Sequence, residues 1–139
     1  MPVNEDESLR RYGLHPVGGD LDEVRELLAA RMAREQQRQG DGDTELMKLC
    51  CVQLFNAGLL ADVLLIWQAK ESSWDAHCSI DVQLLCGAGL HETIAYLTAD
   101  GSPAATAALE YLRHCQASGD FADFTAESQS RWYSRYYVG

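Results

Sequence analysis

The sequence has only three prolines and no long alternating run of Val, Ile and Thr. Both absences argue against a β-rich fold, because strands draw on β-branched residues in a two-residue period. Positive charge is nearly missing from its middle: residues 49–130 hold Lys70 and Arg113 against 10 acidic groups. Phosphate binding needs clustered Lys and Arg, so no nucleic-acid partner is expected. The longest apolar stretch, Leu46–Trp67, is interrupted by Lys48, Gln53, Asn56, Gly58 and Asp62. A bilayer span of about 20 residues does not tolerate that set, and no membrane association is expected. Met1–Glu7 is acidic and lacks the basic-then-apolar order of a signal peptide, and Pro2 is incompatible with myristoylation. The five cysteines are an odd number without a Cys-x-x-Cys pair. They fit buried reduced thiols better than a disulfide framework, and the expected compartment is the cytoplasm.

What is present is apolar mass and negative charge. Hydrophobic residues make up 47% of the 139 positions, enough for one domain with a real core. The net charge of -10 divides unevenly, with -4 on residues 1–48, -8 on 49–130 and +2 on 131–139. An acidic middle favours solubility and rapid encounter with a basic partner.

The reading is an all-α fold of about seven helices, with residues 1–19 as an irregular leader and 20–139 as a single helical domain. Gly13, Pro16, Gly18 and Gly19 break the leader, although Leu9, Tyr12, Leu14 and Val17 can still pack. A first helix is expected over Leu21–Gln39, capped by Asp20. Its apolar stripe is Leu21, Val24, Leu27, Leu28 and Met32, and its wet face includes Arg25 and Glu35. A second helix, from Asp43 or Thr44 to Asn56, ends at Gly58. A third, Leu60–Lys70, is apolar almost all round. Ser72–His77 reads as a connection. A fourth helix is expected over Ile80–Cys86 after Ser79, then a fifth over Leu90–Thr98. A sixth, Ala104–Gln116, follows Ser102 and Pro103, and Thr125 caps a last one over Ala126–Tyr137.

Ala57-Gly58-Leu59 and Ala88-Gly89-Leu90 lie 31 residues apart, and Gly119 falls 30 after Gly89. The spacing predicts mostly antiparallel αα-hairpins stacked as helical-repeat-like units of about 30 residues. In length, and in Leu84-Leu85-Cys86-Gly87-Ala88-Gly89, these units loosely resemble ankyrin-type repeats; without a Thr-Pro-Leu-His they imply a geometry and no family.

No motif carries chemistry. Gly87-Ala88-Gly89 has Glu92 where a dinucleotide fingerprint needs glycine, and His91-Glu92 has Ala95 where a zinc-protease motif needs histidine. His77-Cys78 and His114-Cys115 lack metal-ligand spacing, so neither metal nor cofactor is expected. A partner-binding surface is the better expectation, drawn from Trp74, Asp75, His77, Asp120, Asp123, Trp132, Tyr133, Arg135 and Tyr136. Trp, Tyr and Arg dominate interface hot spots, and exposed carboxylates steer a basic partner. Trp74 either covers the core from a loop or joins Asp75 and His77 on that surface. The stripe Trp132, Tyr133, Tyr136 and Tyr137 either docks on the body as a cap of the stack or forms a partner-binding face, and the two can coexist because it is too wide for one face to hide entirely.

The expected function is therefore a small acidic cytoplasmic protein-interaction module without catalysis. Its most concrete version is an immunity- or inhibitor-type protein covering a basic site. The alternative is a small-ligand-binding protein or enzyme using a cleft near His77, Cys78 and Asp81.

Overall fold

The computed structural model describes residues 3–139. Among them are eight α-helices, two 3-10 turns and no strand. The helices are α1 (Glu5–Tyr12), α2 (Gly19–Gln37), α3 (Thr44–Ala57), α4 (Val63–Lys70), α5 (Trp74–Ser79), α6 (Leu90–Asp100), α7 (Pro103–Ala117) and α8 (Ala126–Val138). The 3-10 turns are Leu60–Asp62 and Val82–Cys86. No helix among the described residues is long and apolar enough to cross a membrane.

Helix α3 is the axis. Asp43, in a left-handed conformation, caps it by accepting from the Leu46 amide, and Gly58 (φ 68°) ends it by donating to the Leu54 and Phe55 carbonyls. From Leu46 to Phe55 every residue but Lys48 is buried. A helix apolar on all sides must be covered on all sides. The cover comes from α1, α2, α5, α8 and the 3-10 turn Val82–Cys86. Helix α2 lies along α3 through Val24 and Leu28, both fully buried, with Leu21, Leu27 and Met32 beside them.

Four expectations change here. The stretch Ser72–His77, read as a connection, contributes Trp74–His77 to helix α5. Residues 5–12, assigned to an irregular leader, form α1. Asn4 accepts from the Glu7 amide, Glu5, Asp6 and Glu7 occupy the first turn, and Arg10 and Arg11 the last, as the helix dipole favours. Gln53 and Asn56 then hold the following residues onto α3, donating to the Gly13 and Leu14 carbonyls at 2.8 and 2.7 Å. Next, Arg25 and Glu35 are not a wet face. Arg25 pairs with both oxygens of the buried Asp62 at 2.8 and 3.0 Å. Glu35, 1% exposed, accepts from the Gly40 and Gly42 amides and from the Ser73 hydroxyl. Those three hydrogen bonds favour the carboxylate and hold its pKa below the ordinary value against the opposing effect of burial. Finally, Ile80–Cys86 is not an α-helix. Ile80 and Asp81 are extended, and Val82–Cys86 is a 3-10 turn whose Val82, Leu84, Leu85 and Cys86 are buried.

The 30-residue period is not confirmed by the packing. Gly58 takes φ 68° at a helix end, whereas Gly89 takes φ 103° at the start of α6, so the two aligned turns differ. The sequential helices in most extensive contact are α2 with α3 and α6 with α7, followed by α4 with α5. What Gly58 meets is Gly87: a Cβ at Gly58 would lie 3.2 Å from the Gly87 carbonyl oxygen, and one at Gly87 would lie 2.3 Å from that of Phe55.

Two pieces of backbone therefore touch where only glycine fits. Gly87→Ala is expected to cost more than about 2 kcal/mol in chemical denaturation, because neither backbone can yield to the added methyl without disturbing α3. A variant as stable as the parent would remove this contact from the fold.

Candidate functional site

The aromatic and charged residues singled out in the sequence separate into two groups. The first is built on α5. Its N-cap Ser73 accepts from the Ala76 amide and donates to buried Glu35 at 2.6 Å, which ties α5 to the end of α2. At the other end, buried Lys70 donates from Nζ to the carbonyls of His77 and Ile80. Burial lowers the Lys70 pKa, opposed by Glu71 and Asp81. The helix is therefore fastened at both ends although it is only six residues long.

On this frame the His77 ring is surrounded. Nδ1 lies 2.8 Å from a Glu71 carboxylate oxygen and Nε2 lies 3.3 Å from the Tyr111 hydroxyl. Both ring nitrogens therefore have a polar partner, Glu71 at Nδ1 and Tyr111 at Nε2. Tyr111 meets His77 edge-on at 5.3 Å and packs against Trp67 at 5.7 Å. Burial pushes the Tyr111 phenol up to about 12, with Cys115 and the charges of Glu71 and Asp120 adding to it. Trp74 stacks on the other side of His77 at 5.5 Å and 12°, yet remains 71% exposed. Glu71, Ser73, Trp74 and His77 line an open hollow of about 490 Å³. Asp75 is exposed on the same turn of α5.

The second group lies on α8, which runs antiparallel to α3. Ser130 donates to Asn56 at 2.7 Å near one end, and Lys48 lies 5.3 Å from the Tyr136 ring near the other. Tyr133 corrects the expected surface: it is fully buried against Phe55, and its hydroxyl donates to Asp81. Burial and the Asp81 charge push its pKa far up. Trp132 and Tyr136, by contrast, stack in parallel at 5.6 Å and 10°, and are 46% and 60% exposed. Arg135 is exposed beside them. Asp120 and Asp123 are exposed in the turn after α7, where Asp120 accepts from Gln83 through its backbone carbonyl and Asp123 is left-handed at φ 57°.

No protein-family model, curated protein or solved structure matches this chain. Its surface chemistry has to be read from its own geometry. That geometry does not assemble the cleft of the alternative reading. His77 faces Glu71 and Tyr111, Asp81 serves Tyr133 and lies 3.6 Å from Lys48, and Cys78 is exposed away from any base recorded at hydrogen-bond distance. Burial raises the thiols of Cys50 and Cys86 to about 12, and those of Cys51 and Cys115 are also raised, so none of the four offers a thiolate at neutral pH. Among the described residues, no group of three or more His, Cys, Asp or Glu is placed to hold a metal ion.

Glu71 and Tyr111 were absent from the candidate residues. Glu71 sits at a polar helix end beside the Ser72-Ser73 connection, a weak local signal. Tyr111 is 34 residues from His77 and reaches it only through the packing of α7 on α4.

The division of the α8 aromatics is testable by stability. Trp132→Ala with Tyr136→Ala is expected to change unfolding free energy by less than about 1 kcal/mol, as exposed substitutions do. Tyr133→Ala is expected to cost about 3–5 kcal/mol. Equal losses for the two variants would place the whole stripe in the core.

Proposed function

We propose that this chain is a small acidic, non-catalytic protein-interaction module of the cytoplasm that engages a basic protein with the help of exposed aromatic side chains. One observation carries the reading. Each of the two aromatic groups holds a stacked pair with an exposed tryptophan: Trp74, 71% exposed, lies on half-buried His77, and Trp132, 46% exposed, lies on Tyr136 with buried Tyr133 edge-on to it. Rigid, exposed Trp and Tyr supply contact area at low entropic cost, and such residues anchor interfaces. The net charge of -10 supports the choice of a basic protein over nucleic acid, since carboxylates accelerate encounter with a cationic surface while anchors slow its release. An immunity- or inhibitor-type protein, blocking a basic site on a toxin or nuclease, is the most specific form of this proposal.

The alternative, a ligand-binding protein or enzyme working through His77, Cys78 and Asp81, has less support because those side chains belong to different clusters.

The test is affinity capture of the tagged protein from its native cytosol, with mass spectrometry, at low and moderate salt. The parent chain, Trp74→Ala, and Trp132→Ala with Tyr136→Ala are compared. The expected result is one stoichiometric basic protein that the parent retains, that added salt releases, and that at least one variant loses. Nothing retained at either salt, or the same proteins retained by all three chains, would overturn the reading.

A further inference from the structure

The hollow beside α5 has features that an interaction surface in general does not require. Its wall is an indole and its rim holds a carboxylate, and each meets His77. Trp74 rests one face on His77 and leaves most of its ring in solvent. Glu71 gives one carboxylate oxygen to His77 Nδ1; its other oxygen has no hydrogen-bond partner among the described residues. Lys70 does not compete: its side chain is buried, and its Nζ is committed to the carbonyls of His77 and Ile80.

A planar cation fits this combination. A guanidinium can lie on an indole face and direct N–H groups in its own plane to a carboxylate at the edge of the ring. An ammonium satisfies the charge but not the plane. We propose that this hollow receives an arginine side chain of the protein partner, with the guanidinium stacked on Trp74 and hydrogen-bonded to Glu71. The proposal rests on the interaction reading above and names the chemistry that one of its two aromatic groups recognises.

The test uses the intact, isotopically labelled chain. The indole N–H resonances of Trp67, Trp74 and Trp132 are followed by nuclear magnetic resonance and assigned with single Trp→Phe variants. The probes are the capped tripeptides acetyl-Gly-Arg-Gly-amide, its lysine counterpart, and its citrulline counterpart, which keeps the shape of arginine without the charge. The arginine peptide is expected to shift the Trp74 resonance saturably and to leave Trp67 in place. Citrulline should bind at least about tenfold more weakly, the scale set by one cation–π contact with its ion pair. Lysine should fall between them. Glu71→Gln, an exposed change that keeps the side-chain shape, should weaken the arginine peptide several-fold with unchanged dispersion of the remaining spectrum. An unmoved Trp74 resonance, citrulline binding as well as arginine, or Glu71→Gln titrating like the parent would each overturn the proposal. Partner capture that survives Trp74→Ala while the peptide fails to bind would reject the hollow and leave the interaction reading in place. Peptide binding with no captured partner would do the reverse.

Discussion

The constraint on which the rest depends is the burial of α3 on every side. A helix with a single apolar stripe can lie on a surface. One that presents Leu46, Met47, Leu49, Cys50, Cys51, Val52, Leu54 and Phe55 in succession cannot, and each fully buried side chain of this kind is worth roughly 1.5–3 kcal/mol when removed from water. Five other segments therefore converge on it. Its coating also explains the glycine pair: the turn carrying Gly87 approaches the end of α3 until backbone meets backbone.

Enclosing an apolar helix with short elements creates ends, and ends leave backbone groups without partners. Buried or half-buried polar side chains supply those partners. Glu35 gathers the amides of Gly40 and Gly42 and the hydroxyl of Ser73, Lys70 meets the carbonyls of His77 and Ile80, and Asn56 joins Leu14 to Ser130. Glu35 and Asn56 join segments distant in sequence, Lys70 joins nearby ones, and two of the three fix α5. The position of Trp74 over His77 thus follows from polar satisfaction deep in the protein rather than from the local sequence of α5 alone.

The helices that were legible in the sequence are those with a period and a cap. Ser102-Pro103, Thr125 and Gly58 mark boundaries that the structure reproduces, with side-chain caps at Ser102 and Thr125. Helix α1 was hidden because it is strongly polar and only eight residues long, although Asn4 and its charge order were in view. Helix α5 was hidden because Ala76 is its one buried residue, so no apolar period appears. The Val82–Cys86 turn was mistaken for an α-helix because a short apolar run looks the same in either conformation. Of the candidate site, the aromatic and acidic members were legible as residue types. Which of them face outward was not: Tyr133 is drawn in by Asp81, while Trp132, one position earlier, remains outside. Nothing local marks Tyr111 as the partner of His77, because that contact is made by tertiary packing.

A buried α3, with α5 fastened beside it by Glu35 and Lys70, is the central claim, and native-state hydrogen exchange tests it most directly. Amides in the middle of α3 should exchange only through global unfolding, with an opening free energy equal to that from denaturant melts. The amides of His77 and Ile80, bonded to the Ser73 and Ala76 carbonyls, should be strongly protected despite the brevity of α5. Exchange of those two amides at the rate of an unstructured peptide, or opening of α3 well below the global free energy, would contradict the account.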